Sequence, residues 1–286
     1  MTRLDEADHS ATTGTDAQPS GGDGAGSDAC ADRADSDERA RDPEAAEALH
    51  ATRATIYGAV GGAFCYPDTE MRATLTAHDA RDGVLQAAER LGLRDEAERF
   101  LDAFADASVS GLESAYNGLF GLPEGGEYPV VPYEAHYTTG SDVGESQRRI
   151  AAVVGLMETF GVEPGAEFAE RQDHVAAELE LMQVIAAQRA VAIHEGDDAA
   201  ADRLAAAEAT VLDKHLRGFV PALAHDVERT VDDDGPASWR AYRAAATLAA
   251  ELVRRDDAVR NGDENPNDEA TGGDGDATAG VSDDAE

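Results

Sequence analysis

Two side chains able to do acid–base or metal-binding chemistry, His174 and Glu178, stand four residues apart in RQDHVAAELELM, residues 171–182. With about 100° between successive helical residues, both fall within an apolar arc, whereas Asp173 falls outside it. A buried carboxylate needs a partner. One helical turn brings the imidazole within reach of it. The spacing therefore predicts a polar pair on a helix face that is otherwise buried.

Three interpretations of this pair are open from the residues alone. It forms a structural hydrogen bond that fixes helix packing, it lies at the polar floor of a groove, or it supplies two ligands to a metal ion. A metal site needs more than the His174–Glu178 pair, and the sequence shows no second ligand cluster at a suitable spacing. We therefore predict neither a metal site nor a catalytic residue here.

A second stretch, GLPEGGEYPVVPYEAHYTTGSDVG at residues 121–144, interrupts the helical pattern for more than twenty positions. Its prolines and glycines exclude regular helix. Tyr133 and Tyr137 give the loop more apolar surface than a solvated linker needs. Glu134 lies between these two tyrosines in the sequence. Long loops in compact domains are usually functional or disordered, so we expect this loop to meet a partner.

The elements that must position these residues are helical. No alternating stretch is long enough for a convincing strand, and Tyr116 and Phe120 lie on an apolar stripe at helical spacing. The predicted fold is all-α, a single compact helical domain with one long functional loop. The expected helices cover about 49–65, 69–77, 80–92, 94–106, 108–120, 145–161, 166–193, 198–231 with a kink at Pro221, and 238–254.

The chain ends are acidic and poor in large apolar residues. Residues 1–48 contain 13 Asp or Glu and 4 Arg, and residues 256–286 contain 11 Asp or Glu and one Arg. Such segments cannot bury enough surface to offset the entropy of ordering. We predict disordered acidic tails at 1–48 and 256–286, flanking a helical domain at 49–255.

The net charge is −36, and the basic residues are almost all arginine. This composition resembles that of proteins from organisms with molar internal salt, where hydrated carboxylates maintain solubility. Without a basic patch, nucleic-acid binding is excluded. The sequence has no apolar run long enough for a membrane span and no apolar segment typical of a secretory signal. The two cysteines, Cys30 and Cys65, do not have the spacing of a metal-binding or redox motif. We expect a cytoplasmic protein.

Several segments carry a resemblance in a consistent order: RATIYG at 53–58 with FCYP at 64–67, YNGLFG at 116–121, YPVVPYEAHY at 128–137, RQDHVAAELELM at 171–182 and HLRGFVP at 215–221. Together they resemble the TorD/DmsD-type chaperones that assist the assembly of molybdenum oxidoreductases. The resemblance covers about 53–255. Its most specific part is Asp-His followed by Glu-Leu-Glu, placed after a loop rich in Pro, Tyr and Glu. Gly121-Leu122-Pro123 and Tyr133 depart from the family pattern.

The resemblance implies a non-catalytic protein that binds the twin-arginine signal peptide and the apo catalytic subunit of a molybdenum reductase until cofactor insertion is complete. The residues expected to bind the partner are Tyr116, Phe120, Tyr133, Glu134, Tyr137, Asp173, His174 and Glu178. We expect the protein to require no cofactor. Transient contact with molybdenum cofactor or GTP stays open, but no motif in the sequence supports it. A monomer or a domain-swapped homodimer is expected.

The alternative function is a metal-dependent or nucleotide-hydrolysing helical enzyme that uses His174, Glu178 and Glu134. For the chaperone, salt limits how the partner is attracted. At about 1 M ionic strength the Debye length is roughly 3 Å, so long-range steering nearly vanishes. We expect tyrosines and apolar surface to supply the affinity, with Asp173 or Glu134 meeting an arginine only at contact range.

Overall fold

The computed structural model describes residues 42–121, 128–140, 142–163, 165 and 168–261. Most of the two predicted tails, residues 1–41 and 262–286, lies outside this range. So does part of the long loop, residues 122–127 and 141. The acidic-tail prediction remains a prediction for those residues.

The described chain is all-α, as predicted, and its residues include no strand. The helices are α1 Pro43–Ala63, α2 Thr69–Thr76, α3 His78–Arg90, α4 Arg94–Asp106, α5 Val109–Phe120, α6 Glu134–Thr138, α7 Val143–Phe160, α8 Val175–Glu195, α9 Asp198–Val211, α10 Arg217–Thr230 and α11 Ala237–Asn261. A π-helical segment, Leu212–Leu216, joins α9 to α10. None of the helices in the described part of the chain has the length and apolar composition that a membrane span requires.

Local sequence signals set several helix ends. The Ser108 hydroxyl accepts a hydrogen bond from the Gly111 N–H at 3.1 Å and caps α5, as the sequence predicts. Gly161 ends α7 with φ of 68°, a left-handed conformation that glycine adopts without strain. The long loop is less irregular than predicted, because residues 134–138 form the short helix α6.

The core is built around α1 and α8, which pack along each other. A Cβ added at Gly61 would lie 3.3 Å from the Leu179 Cβ and 3.5 Å from the Ala176 carbonyl oxygen. The absence of a side chain at Gly61 therefore lets the two helices approach closely, as the glycines of the first helix indicate. Helix α11 closes the other side of the core against α4, α5 and α10.

Both ends of the helical unit extend beyond the predicted limits of 49 and 255. Helix α1 begins at Pro43 and α11 continues to Asn261. At the C-terminal end the physical reason is an internal ion pair. Asp256, assigned from composition to an acidic tail, accepts hydrogen bonds from Arg53 at 2.7–3.0 Å and from the Tyr57 hydroxyl at 2.7 Å. Its side chain is 8% exposed.

The long helix predicted at 198–231 is interrupted, but not at Pro221. Helix α10 continues through Pro221 without a break, and the kink expected at this residue stays a prediction. The irregularity lies upstream in the π-helical segment Leu212–Leu216, where the Arg217 N–H donates to the Leu212 carbonyl, five residues back. The wider turn changes the direction in which His215 projects from the helix.

Glu208 of α9 makes stability depend on pH. Burial alone would raise its pKa, but the hydrogen bond with His50 and the charges of Arg53 and Arg189 more than offset this and lower the pKa to about 2. A carboxyl whose folded pKa is depressed stabilises the fold above its unfolded pKa and loses that contribution as pH falls through the folded value.

We therefore expect Glu208 to contribute about 3 kcal/mol at neutral pH, lost between about pH 5 and pH 2. The measurement is the free energy of urea unfolding of the wild type and of Glu208→Gln across this range. The gap between the two proteins should narrow as pH falls. A gap that is the same at pH 7 and pH 3 would contradict the assignment.

Candidate functional site

The two stretches singled out in the sequence meet through backbone hydrogen bonds. Tyr133 and His174 form an isolated antiparallel bridge. In it the Glu134 N–H donates to the Asp173 carbonyl at 2.8 Å, and the Val175 N–H donates to the Pro132 carbonyl at 2.9 Å. The long loop is thus attached to the chain immediately before α8, and its side chains and those of the Asp-His turn form one site.

Helix α8 begins later than predicted, at Val175 rather than near 166. His174 is its N-cap residue, and the His174 Nδ1 accepts the Ala176 N–H at 3.2 Å. Asp173 precedes the helix, so its position on a helical wheel has no meaning. This explains why Asp173 is fully buried, although the helical pattern places it off the apolar face.

The carboxylate of Asp173 is satisfied within the chain. Its Oδ2 accepts the Ala135 N–H at 3.2 Å, near the N-terminus of α6. Arg171 donates from Nε to Oδ1 at 2.8 Å and also from Nη2 to Oδ2. Asp173 therefore ties α6 to the start of α8, and the chain's own Arg171 occupies the place expected for a partner's arginine.

His174 is neutral near pH 7. Burial lowers its pKa to about 4, against the opposing effect of Glu170 and Asp173. Because Nδ1 accepts a hydrogen bond, the proton lies on Nε2, which is buried and has no hydrogen-bond partner among the described residues. The ring contacts Tyr133 and Phe168, with centroids 5.4 and 5.9 Å away. The His174 ring is thus fixed in orientation beneath Tyr133 and Phe168, with an Nε2–H, unpaired among the described residues, as a potential hydrogen-bond donor.

Tyr133 forms the outer part of the site. Its hydroxyl donates to the Glu170 carboxylate, and the Arg171 guanidinium lies 4.4 Å from its ring centroid. Burial and the hydrogen bond to Glu170 raise the pKa of Tyr133. The ring is half-buried, so a face or an edge remains available to a partner. Glu170 carries no signal in the sequence that would have marked it.

Tyr116 and Phe120 belong to a buried aromatic cluster, with 6% and 4% of their surfaces exposed. Their ring centroids are 5.3 Å apart, and Tyr242 packs against both. Tyr66 extends the cluster to the surface. It lies 5.3 Å from Tyr116 and is 55% exposed. Tyr116 and Phe120 therefore support a surface that Tyr66 presents, a residue missed as a candidate.

Tyr137 is half-buried and is held from α10. Its hydroxyl donates to the Asp226 carboxylate at 3.1 Å, and its ring packs on Phe219 with 5.4 Å between centroids. This contact fixes the C-terminal end of α6 against α10. The predicted partner-binding role of Tyr137 remains a prediction, and in the structure the residue positions the loop.

Glu134 and Glu178 are fully buried, and their carboxyl groups lie close to each other. The proposed His174–Glu178 side-chain pair does not form. Instead, Glu134, Glu178 and His215 converge, and one ligand atom from each lies within 4.8 Å of the other two. His215 Nδ1 donates to the Glu134 Oε2 at 3.0 Å. Burial and the neighbouring Glu134 raise the pKa of Glu178.

His215 is buried and contributes to this cluster. Nothing in its local sequence links it to Glu134, which is 81 positions away in the chain. The expectation that Glu134 takes a partner's arginine at contact range is not supported by this placement. Its carboxylate lies 3.2 Å from the chain's own Arg149 and is 0% exposed.

Two of the clefts on the described surface bear on the site. One, of about 320 Å³, lies on the loop and is lined by Tyr128, Val131, Tyr133, Ala135, His136, Gly140, Ser146 and Arg171. The other, of about 760 Å³, lies among α1, α9 and α11 and contains none of the predicted site residues. The smaller cleft is therefore the one associated with the two sequence motifs.

A comparison with protein families finds a match to the nitrate reductase delta subunit model over residues 86–225. No curated protein matches the chain. The matched region contains α4 to α9 and most of α10, and with them every site residue that the sequence predicts. Members of this family are non-catalytic chaperones, so the alternative of a metal-dependent or nucleotide-hydrolysing enzyme is set aside. Through residues 86–225 the chain matches the nitrate reductase delta subunit family, the assembly chaperones of molybdoenzyme catalytic subunits.

Proposed function

We propose that this protein binds the twin-arginine signal peptide of a molybdenum reductase and holds the apo catalytic subunit until its cofactor is inserted. The observation that carries the proposal is the backbone bridge between Tyr133 and His174. It joins the loop and the Asp-His turn, the two stretches of the family resemblance, into one surface. That surface combines tyrosine rings with a carboxylate, the groups that suit a peptide with paired arginines.

Arg171 shows how a guanidinium is accommodated on this surface. It stacks 4.4 Å above the Tyr133 ring and is bonded to the buried Asp173. Because Asp173 is already paired, we assign the acceptor for the partner's arginine to Glu170, which is half-buried beside the same ring. Glu134 and Glu178 then hold the loop from inside and do not touch the peptide.

The apolar part of the signal peptide needs an apolar surface. Tyr66 is 55% exposed and Val143, at the start of α7, is 70% exposed, while Tyr128 packs beside Tyr133. Burying such side chains contributes about 25 cal/mol per Å², and this contribution is not screened by salt. We therefore expect binding to persist at molar salt, where the charges act only at contact.

The proposed place of action is the cytoplasm, since the signal peptide must be bound before export. The proposal needs no resident cofactor, and both a monomer and a domain-swapped homodimer fit it. Dimethyl sulfoxide, trimethylamine N-oxide, nitrate and selenate reductases are the candidate clients.

The test is fluorescence anisotropy of labelled synthetic twin-arginine signal peptides from these four reductase classes, at molar salt. One peptide should bind the wild type, and Tyr133→Ala should weaken it by about 10- to 30-fold, the loss of one aromatic anchor. The physical reason is that the alanine removes both the ring that stacks on an arginine and the hydroxyl that orients Glu170.

The matched control is Val191→Ala, because Val191 is 54% exposed at the far end of α8. It should bind the peptide like the wild type, and far-ultraviolet circular dichroism should show equal helicity in all three proteins. Replacing the two arginines of the peptide by alanine should weaken binding to the wild type without abolishing it, because the apolar contacts remain. Equal affinity of wild type and Tyr133→Ala would place the peptide elsewhere.

A further inference from the structure

The fully buried cluster of Glu134, Glu178 and His215 brings two carboxyl groups together, and the described side chains around them do not supply donors to all of their oxygens. The three side chains come from α6, α8 and the π-helical segment, and at most 3% of any of them is exposed. Among the described residues, three carboxylate oxygens in the cluster have no hydrogen-bond donor, namely Glu134 Oε1 and both oxygens of Glu178. Buried carboxylate oxygens without donors are uncommon and costly.

Arg149 only partly compensates for these carboxylates. Its Nη1 lies 3.2 Å from the Glu134 Oε1, but the hydrogen bond of that nitrogen goes to the Lys214 carbonyl. The Arg149 side chain is 25% exposed, so it reaches from the cluster to the surface. It supplies a single positive charge beside two carboxyl groups, and a rotation of this side chain offers a route for an ion.

The distances suit coordination of one metal ion. With metal–ligand bonds of about 2.0–2.1 Å, an ion bound by the His215 Nδ1 and the Glu134 Oε2 would subtend an angle of about 90–95°. These two atoms are 3.0 Å apart. No ligand pair in the cluster is separated by more than 4.8 Å. In a tetrahedral site with such bonds the ligand atoms lie about 3.3–3.4 Å apart, so the widest pairs of the cluster must move together by about 1 Å or more when the ion binds.

The backbone gives independent support. His215 lies in the π-helical segment Leu212–Leu216, and short π-helical segments inside helices occur frequently at functional sites. In a regular α-helix through these residues, His215 would project in a different direction. The irregular backbone of this segment thus places the His215 imidazole beside two buried carboxyl groups.

We propose that Glu134, Glu178 and His215 bind one divalent transition-metal ion of the zinc class. One imidazole with two carboxylates is a ligand set that zinc accepts. The ion would join α6, which carries the loop, to α8 and to the junction of α9 and α10. Its role is structural, since the cluster is enclosed, and it acts on the loop from behind the tyrosine surface.

The experiment uses the untagged full-length chain, stripped with a chelator and then titrated with Zn²⁺. We expect one zinc per chain by mass spectrometry of the gel-filtered protein. Glu178→Gln and His215→Gln should each weaken Zn²⁺ binding by at least about 100-fold in isothermal titration, because loss of a direct ligand should exceed the effect of losing an outer hydrogen bond. His225→Gln, which removes an exposed histidine of α10, should bind like the wild type.

A readout on the wild type alone keeps the proposal testable if a variant fails to fold. X-ray absorption of the zinc-loaded wild type should show one imidazole nitrogen with oxygen ligands. Zn²⁺ should also slow amide exchange at residues 134–138. Weak, non-stoichiometric binding that Glu178→Gln leaves unchanged would overturn the proposal, since it would reflect the acidic surface. A ligand shell with sulfur or with several imidazoles would overturn it as well.

Discussion

Arg53→Met should lower the free energy of unfolding by about 3–5 kcal/mol, the cost of breaking a buried ion pair from one side. Arg53 donates to Asp256 of α11 at 2.7 Å and to Glu208 of α9 at 2.9 Å. These charges raise its pKa despite the opposing effect of burial. Methionine fills a similar volume but leaves Asp256 with the Tyr57 hydroxyl as its remaining donor among the described contacts.

The measurement is urea unfolding at fixed salt, with Arg94→Met as the matched control. Arg94 pairs with Glu89 and Glu98 at the surface, and all three side chains are 42–66% exposed. Exposed pairs contribute between about 0 and 1 kcal/mol. Adding Asp256→Leu to Arg53→Met should restore part of the loss, because it removes the uncompensated carboxylate. A loss no larger than that of Arg94→Met would contradict the role of this network.

The consequence for the domain is that α1 and α11 are integral to it. The family match covers residues 86–225, which excludes both helices. Arg53 of α1 and Asp256 of α11 are 203 positions apart, and both are buried in one network with Glu208. A fragment limited to the matched region would lose these contacts, together with the α1 face that packs on α8.

Asp173→Ala should detach α6 and the loop from α8 while leaving most of the helical core intact. The carboxylate receives the Ala135 N–H and the Arg171 guanidinium, and it is fully buried. Loss of the carboxylate removes the ion pair with Arg171 and leaves the Ala135 N–H without an acceptor. Together these losses should lower the local stability of α6 and the loop by about 2–4 kcal/mol. Since the loop presents Tyr133, peptide binding should fall together with the order of α6.

Hydrogen–deuterium exchange by mass spectrometry tests this directly. Peptides covering residues 128–140 should exchange faster in Asp173→Ala, by about 30-fold or more for the energies above. Peptides from the middle of α8 should keep their wild-type rates. Asp68→Ala serves as the control, because Asp68 caps α2 through the Met71 N–H at 2.7 Å at an exposed position. If exchange in the loop is unchanged, Asp173 does not hold it.

Part of the site was predictable because its signals are local. The resemblance around 128–137 and 171–182 identified the two stretches that the structure joins. Prolines and glycines that exclude regular helix, together with the tyrosines, marked the loop. The His174–Glu178 pair was wrong because a helical wheel assumes that both residues lie within the helix. His174 is the N-cap, and its imidazole bonds to the backbone there, leaving Glu178 to face another element.

The sequence by itself determined the all-α class, most helix ends and the location of the loop. These follow from the period of apolar residues, from caps such as Ser108, and from glycines such as Gly161, all of which act within a few residues. Only the tertiary structure decided that Asp256 is an internal partner of Arg53, and that His215 joins Glu134 and Glu178. Those contacts bridge distant parts of the chain, and composition or periodicity cannot encode which buried charge meets which.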